Sequence, residues 1–255
     1  MSEPRRLHAR ALGTPGARVV LDADAARHAR VLRLRAGDRV VLFDGVGAEA
    51  DAIVEHVDAS TVACGIDTLR VAVAPTSRVV LVQGLPKGGK LDDIVRSCTE
   101  TGVAAIHLAL AERSVARPDA DRSAARLDRL HKIAHEAARQ AERAHVPAIV
   151  APAPLDEVAR RAPDGATRLI ASPRAGVTWD EALEGAREVW IAVGPEGGLS
   201  PAEEDALVAS GWRRARVAVP IMRVETAAPV LVAMSVDRLA RGGDQGAPQA
   251  IHSPS

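Results

Sequence analysis

The sequence predicts an α/β protein in which a small β-rich part precedes a mostly parallel sheet. Three observations carry this prediction. Short apolar runs separated by turn dipeptides dominate residues 1–74. From Arg78 onward, apolar runs alternate with stretches of helical spacing. After each later run the chain turns at small or polar residues, as it does where strand leads to helix in a parallel sheet.

In the first part, strands are expected at residues 17–21, 39–43, 49–56 and 61–66, with Val71, Ala72 and Val73 near its end. Gly37-Asp38 and Asp44-Gly45 supply turns, and residues 23–32 read as one short helix. This spacing predicts a small barrel-like domain over residues 1–74. The boundary falls at Ala74-Pro75-Thr76-Ser77, where composition breaks.

In the second part, residues 79–83 form an apolar run, after which Leu91, Ile94, Val95 and Cys98 recur at helical spacing. Residues 103–110 return to strand character. A long helix is expected over 122–143, with Leu127, Leu130, Ala134, Ala137 and Ala141 near one face and Glu136, Gln140 and Arg143 on a polar ridge. Further strands are expected at 167–171 and 188–193, and again at Val217-Ala218-Val219, ended by Pro220. Thr226 is placed to cap an apolar helix containing Val230, Leu231, Met234 and Leu239, with Pro229 tolerated in its first turn. The second domain then spans 75–241, and the Gly-, Pro- and Ser-rich stretch 242–255 reads as a disordered tail.

Composition narrows the function. The 255 residues include three Trp, one Phe and no Tyr, so a row of stacking rings for single-stranded nucleic acid is excluded. Basic and acidic residues number 33 each, and overall charge makes no case for any partner. Their distribution differs: residues 1–40 hold nine Arg against four acids. Arg27, Arg30, Arg33 and Arg35 on one face would make a field suited to phosphates. The alternative is that Arg replaces Lys in a chain with three lysines. Cys64 and Cys98 are too few for a metal cluster or a disulfide framework, which fits the cytoplasm. No apolar stretch approaches membrane-spanning length, and no charged leader precedes an apolar run. His131 and His135 share a helix face without the acid between them that a metalloprotease helix carries, so no metal site is expected.

Two glycine-rich segments stand out. Gly84-Leu85-Pro86-Lys87-Gly88-Gly89-Lys90 resembles the start of a phosphate-binding loop, but Leu91 stands where a hydroxyl should meet Mg²⁺. Nucleotide hydrolysis is thereby disfavoured. Lys87 and Lys90 read either as contacts to an RNA backbone or as parts of a solvated turn.

Gly194-Pro195-Glu196-Gly197-Gly198 follows directly on an apolar run, where a parallel sheet places its ligand-bearing loops. Its glycines let a ligand approach backbone atoms. Ser200 as cap, Pro201 at the first helical position and Glu203 closing a capping box then start a helix. An acid among three glycines, held between a strand and a capped helix, points to a ligand site, with Glu196 read either as an acid satisfied by backbone donors or as one that positions a cationic or polar cofactor group. Further on, Arg223 and Glu225 lie outside both neighbouring apolar faces. They read either as a surface ion pair, or as an Arg that meets substrate and a Glu that organises the loop.

Together these segments resemble the RsmE-type family of ribosomal RNA uridine N3-methyltransferases, of the knotted SPOUT class. The resemblance runs from Arg27-His28-Ala29-Arg30-Val31-Leu32-Arg33-Leu34-Arg35 through Leu42-Phe43-Asp44-Gly45, Leu85-Pro86-Lys87-Gly88 and Glu112-Arg113-Ser114 to the two late loops. Gly-Pro-Glu-Gly-Gly followed at this distance by Arg-Val-Glu-Thr-Ala is its most specific part. The resemblance implies a PUA-like β-barrel domain ahead of an α/β methyltransferase domain with a trefoil knot. It also implies a homodimer that uses S-adenosylmethionine to methylate N3 of a uridine in 16S ribosomal RNA of the small subunit.

Residue by residue, Gly194, Glu196 and Gly197 match the first cofactor loop. Ile221, Met222 and Thr226 match the second, with Arg223 and Glu225 as its catalytic candidates. Lys87, Glu100, Arg113, Gln140 and Arg143 match positions expected to face RNA or to support the cleft. The chain departs from the family pattern at Thr101, at Arg139 and at Val217–Pro220, where Leu, Glu and a Leu-Gly-x-Arg run are usual.

Overall fold

The computed structural model describes residues 5–71, 78–114, 120–172 and 176–244. The Ala74–Ser77 boundary, Ala72 and Val73, and residues 245–255 lie outside them. The chain divides into two compact units, one comprising residues 1–74 and 132–146, the other residues 75–131 and 147–255.

The first unit is built on strands β1 (Arg5–His8), β2 (Arg18–Leu21), β3 (Arg39–Phe43), β4 (Ala48–Val57) and β5 (Val62–Val71), with helix α1 (Ala23–Val31) between β2 and β3. The strands form one sheet of order β1-β3-β4-β5-β2. β1 runs parallel to β3 and the other pairs are antiparallel. Among the described residues no pairing joins β1 to β2, so the barrel-like domain expected is a partial barrel. Alternation supplies its core: Leu42, Ala50, Ala52, Val54, Cys64 and Ile66 meet Ala26 and Ala29 of α1. Asp22 caps α1 by accepting from the N–H groups of Asp24 and Ala25.

β1 escaped the sequence reading because Arg-Arg-Leu-His shows no apolar alternation. Arg6 is nonetheless mostly buried, with Nη2 2.6 Å from Glu49 Oε1 and its guanidinium 5.0 Å from the centre of the Phe43 ring.

Two helix ends depend on a non-glycine residue in the left-handed region. After α1, Arg33 takes φ 54°, while its N–H donates to Arg30 O and that of Leu34 donates to Ala29 O. Helix α3 (Ala120–Gln140) ends the same way: Glu142 takes φ 54° and the Arg143 N–H donates to Ala138 O. These are the paired bonds of a Schellman terminus. The long helix therefore stops short of Arg143, and the expected ridge of Glu136, Gln140 and Arg143 is broken before its last member.

The second unit holds strands β6 (Arg78–Gly84), β7 (Ala105–Leu110), β8 (Ala148–Pro154), β9 (Thr167–Ala171), β10 (Val177–Thr178), β11 (Glu188–Val193) and β12 (Arg213–Arg216). They form one sheet of order β10-β12-β9-β11-β6-β7-β8, parallel at every pairing. Both faces are covered, as a parallel sheet requires. Helices α4 (Leu155–Ala159) and α6 (Pro201–Ala209) belong to the side of Val80, Val82, Trp190 and Ala192. Helices α2 (Lys90–Glu100) and α7 (Val224–Asp244) pack on each other, and α7 lies on β6 and β11. The alternate residues Val79, Leu81, Val189 and Ile191 are equally buried. The short helix α5 (Trp179–Ala182) is tied to α7 by Trp179 Nε1, which donates to Ser235 Oγ at 3.1 Å.

Three local expectations are corrected. Val217–Val219 is not a strand; the strand lies earlier, in the Arg-rich β12, because Arg213–Ala215 pairs with β9 while the apolar residues after it border a cavity. Thr226 does not cap α7: the Arg223 carbonyl accepts from the N–H groups of Thr226 and Ala227, so Thr226 and Pro229 both lie inside the helix. Gly242–Asp244, expected in the disordered tail, are the last turn of α7.

Candidate active site

The second unit holds a cavity of about 550 Å³. It opens at the C-terminal ends of β9, β11 and β12, where parallel sheets place their ligands. Ala171 and Ser172 border it after β9, residues 193–198 after β11, and residues 215–217 and 219–224 after β12. Lys90 of α2 and Ala227 and Leu231 of α7 complete the wall.

The first loop is rigid for reasons visible in the sequence. Ser200 and Glu203 form the expected capping box, with Pro201 at the start of α6. A Cβ on Gly194 would lie 2.6 Å from Leu199 N and 2.7 Å from the Gly198 carbonyl carbon, so the loop folds back more tightly than any side chain permits. A Cβ on Gly84, at the end of β6, would strike Pro195 Cδ at 2.7 Å.

Long-range contacts absent from the sequence reading clamp this loop. Arg113 Nη1 donates to the Gly197 carbonyl at 2.6 Å. The Glu112 N–H donates to Glu203 Oε1 at 2.7 Å. Glu196 Oε1 accepts from the Lys87 N–H at 3.0 Å and lies 3.1 Å from Lys90 Nζ. Lys90 Nζ also stands 3.5 Å from Glu225 Oε2, at the start of α7. Burial works against the charged form of Glu196, but its own N–H, the Lys90 ammonium and the Lys87 N–H together hold its carboxyl below the usual range. The hydrogen bond to Glu196 raises the Lys90 ammonium in turn.

The structure thus sorts the sequence candidates. Gly194, Glu196, Gly197, Ile221, Met222, Arg223 and also Lys90 border one cavity; Glu225 and Thr226 do not. Arg223 is exposed, and among the described residues no carboxylate pairs with it. Its expected partner Glu225 turns instead to Lys90. Lys90 and Arg113, expected to face RNA, have donors committed to carboxylates and to a backbone carbonyl. Arg216 also borders the cavity and was missed, because nothing local marks one Arg of Arg213-Arg214-Ala215-Arg216 as different.

In the first unit, Arg27 pairs with Asp24. Arg30, Arg33 and Arg35 are exposed and have no carboxylate partner among the described residues. Gln140 is exposed on the last turn of α3, while Arg143 is half-buried and its carbonyl accepts from Arg6.

The donor set suits S-adenosylmethionine. The close fold of Gly194 brings backbone atoms to the cavity wall, while Val193, Ile221, Met222 and Leu231 offer apolar surface to an adenine ring and to the methylenes beside the sulfonium. Glu196 borders the same wall, with its carboxylate held by the Lys87 N–H and the Lys90 ammonium. The volume lies within the range of about 300–1,000 Å³ usual for cofactor sites. Among the described residues no group of His, Cys, Asp and Glu is arranged to hold a metal. Both thiols are buried and pushed up, Cys64 to about 11.

Comparison with known proteins matches both parts of the chain. Residues 73–236 match the model of an RNA methyltransferase domain, and residues 21–67 match an RNA methyltransferase PUA domain. The chain is 34% identical over 223 residues to ribosomal RNA small subunit methyltransferase E of Mycobacterium bovis, covering 84% of each. It is 29% identical over 206 residues to the protein of that name in Bacillus subtilis, covering 77% of this chain and 80% of the relative. The crystal structure of ribosomal RNA small subunit methyltransferase E from Neisseria gonorrhoeae bound to S-adenosyl methionine superposes with TM-score 0.85 at 27% identity, over 91% of this chain and 96% of that one. A Legionella pneumophila methyltransferase in complex with SAM gives TM-score 0.84 at 27% identity, over 94% and 98%. With its PUA-like partial barrel, its parallel α/β unit and a glycine-framed cavity at the strand ends, the chain belongs to the ribosomal RNA small subunit methyltransferase E family.

Proposed function

We propose that this protein methylates N3 of a uridine in 16S ribosomal RNA of the small subunit, with S-adenosylmethionine as donor. The observation that carries this reading is that two loops from distant parts of the chain, residues 194–198 and 219–224, form one cavity with the Arg223 side chain on its border. In this reading Gly194, Glu196, Gly197, Ile221 and Met222 hold the cofactor, and Thr226 supports their loop from within α7.

The bound cofactor supplies an electrophilic methyl group on sulfur. The chain's own residues do the rest. Uracil N3 carries a proton and attacks only as that proton passes to solvent water, which spreads negative charge onto the carbonyl oxygens as the N3–methyl bond forms and the sulfur–methyl bond breaks. Stabilising that charge with a fixed cation is the largest contribution an active site makes to such a step. Arg223 is the catalytic candidate for this, since no carboxylate neutralises it among the described residues. Glu225 serves the site through the loop it holds in place. The walls of the cavity align the reacting atoms and exclude competing water.

The remaining parts of the proposal concern the assembly. Residues 1–74 act as the RNA-gripping domain through Arg27, Arg30, Arg33 and Arg35, and residues 75–241 as the methyltransferase domain. Lys87, Lys90, Arg113, Gln140 and Arg143 were the other RNA candidates. The exposure of Gln140 and Lys87 supports keeping those two, and the commitments of Lys90 and Arg113 favour a supporting role. The family resemblance further supports a trefoil knot through the second domain, a homodimer and action in the cytoplasm. No helix among the described residues is long and apolar enough to cross a membrane.

The deciding experiment incubates the purified protein and labelled S-adenosylmethionine with unmodified small ribosomal subunits and with naked 16S RNA, then maps the labelled nucleoside. Label at uridine N3 is the expected result. Label on another base or on ribose would overturn the choice of atom, and cofactor binding without RNA product would overturn the enzyme reading. An Arg223→Ala variant is expected to keep cofactor affinity while methyl transfer drops about 100-fold, the usual cost of removing one charge-stabilising group.

A further inference from the structure

Lys90 occupies a position that a solvated turn does not explain. It is the first residue of α2, where the helix dipole disfavours a cation, and Asp92 and Asp93 already supply the acidic residues that such a terminus prefers. Helix α2 is rooted in the core by Leu91, Ile94, Val95 and Cys98, none of which is exposed. The ammonium is therefore carried on a fixed base.

Two carboxylates converge on it. Glu196 Oε1 lies 3.1 Å away and Glu225 Oε2 lies 3.5 Å away. Glu225 Oε2 is buried and makes no hydrogen bond within the protein, so the nearby ammonium is what offsets its charge. Without a cation between them, two carboxylates gathered at one point repel. Glu196 belongs to the loop after β11, and Glu225 stands two residues beyond Arg223.

From this geometry we infer that Lys90 is a positioning residue for methyl transfer: it holds Glu196 and Glu225 together and so aligns the glycine loop with the turn that carries Arg223. This rests on the methyltransferase reading above. It replaces the sequence-based expectation of a phosphate contact with an internal strut, and it accounts for an acid among glycines at 196. Glu196 anchors the loop to α2 through both the Lys87 N–H and the Lys90 ammonium.

The test compares Lys90→Met, Lys90→Arg, Glu225→Gln and the Lys90→Met/Glu225→Gln pair in the full-length protein. Cofactor affinity is measured by calorimetry with S-adenosylmethionine alone. Turnover is measured on small subunits at saturating RNA, and RNA affinity across a salt series. Lys90→Met should lower kcat about tenfold or more by misaligning the reacting groups, and weaken cofactor binding several-fold, with KM for RNA little changed. Lys90→Arg should restore most of kcat. The double variant should be no worse than Lys90→Met, since both changes remove one shared interaction.

A phosphate contact predicts a different pattern. In that case Lys90→Met would lower the salt slope of RNA binding by about one and leave kcat at saturating RNA intact, overturning the inference. Unchanged cofactor affinity together with unchanged kcat would also overturn it. Calorimetry keeps the two readings separable: if the wild type transfers no methyl group to RNA, the function proposal fails, while the cofactor affinities of the four variants still decide whether Lys90 is a strut.

Discussion

The guanidinium of Arg113 donates to the carbonyl oxygen of Gly197 at 2.6 Å, and its stem fills the space beside that glycine, where a Cβ would come within 3.2 Å of Arg113 Cδ. A residue 84 positions earlier thus holds the middle of the glycine loop. Arg113→Met keeps the stem and removes the donor. Because a hydrogen bond to a charged group contributes about 1.5 kcal/mol, cofactor Kd should rise roughly tenfold. Calorimetry decides: an unaltered Kd with a shallower salt slope for RNA would return Arg113 to a phosphate role.

Gly194→Ala places a methyl group against the backbone of Gly198 and Leu199, at 2.7 and 2.6 Å. Backbone does not yield as a side chain does, so the loop must open. Cofactor binding should fall beyond calorimetric detection, while circular dichroism retains the helix and strand signal. Gly89→Ala is the control, since nothing lies near its added Cβ. Equal cofactor affinities for the two variants would refute the tight-loop account.

Ser200→Ala removes the side chain that accepts from the Glu203 N–H in the capping box. Losing such a cap costs about 1 kcal/mol, which in a protein of this size lowers Tm by about 2–4 °C. The melting curve is the measurement. A shift below a degree would mean that the loop contacts, rather than the cap, set the start of α6.

Arg33 holds φ 54° in a position that glycine fills without strain. Arg33→Gly should therefore leave Tm unchanged or slightly higher, because the left-handed penalty of about 1 kcal/mol is relieved. RNA affinity should fall nonetheless, with the salt slope reduced by about one if this guanidinium meets a phosphate. A lower Tm with an intact salt slope would make Arg33 a structural residue.

His107 packs against Trp190 with ring centres 4.8 Å apart, and burial pushes its pKa down to about 4, aided by Arg161 and Arg78. Its folded pKa lies below its unfolded value of 6.5, so the unfolded chain binds the proton first. The stability from keeping this ring neutral is fully present above pH 6.5 and is lost as pH falls towards 4. Denaturant midpoints measured across that window should fall less steeply in His107→Gln than in the wild type. Parallel curves would assign the acid sensitivity to other groups.

Much of the second unit was legible in the sequence because its signals are local. The runs at 167–171 and 188–193 are β9 and β11, and the Ser200-Pro201-Ala202-Glu203 signature lies where the capping box forms. Each depends on residues a few positions apart. Other expectations failed where a longer-range interaction outcompeted propensity. Val217-Ala218-Val219 has strand character, yet β9 is paired with Arg213–Ala215, and the apolar residues serve the cavity instead. Arg5-Arg6-Leu7-His8 has little strand character, yet it pairs with β3, and the Phe43 ring of β3 and Glu49 of β4 receive Arg6.

The sequence by itself determined the α/β alternation, the two late loops and the chemical types brought to the site: glycines, one acid between them and an Arg beyond. These follow from backbone freedom, helix capping and hydrophobic periodicity, all properties of neighbouring residues. Only the tertiary structure decided which charges answer one another. Lys90, Glu196 and Glu225 are separated by more than a hundred positions at the widest, and nothing in their local sequence distinguishes a strut from three solvated groups. Electrostatic partnership depends on distance in space, which the chain fixes only after β6 and β11 have paired and α7 has packed on them.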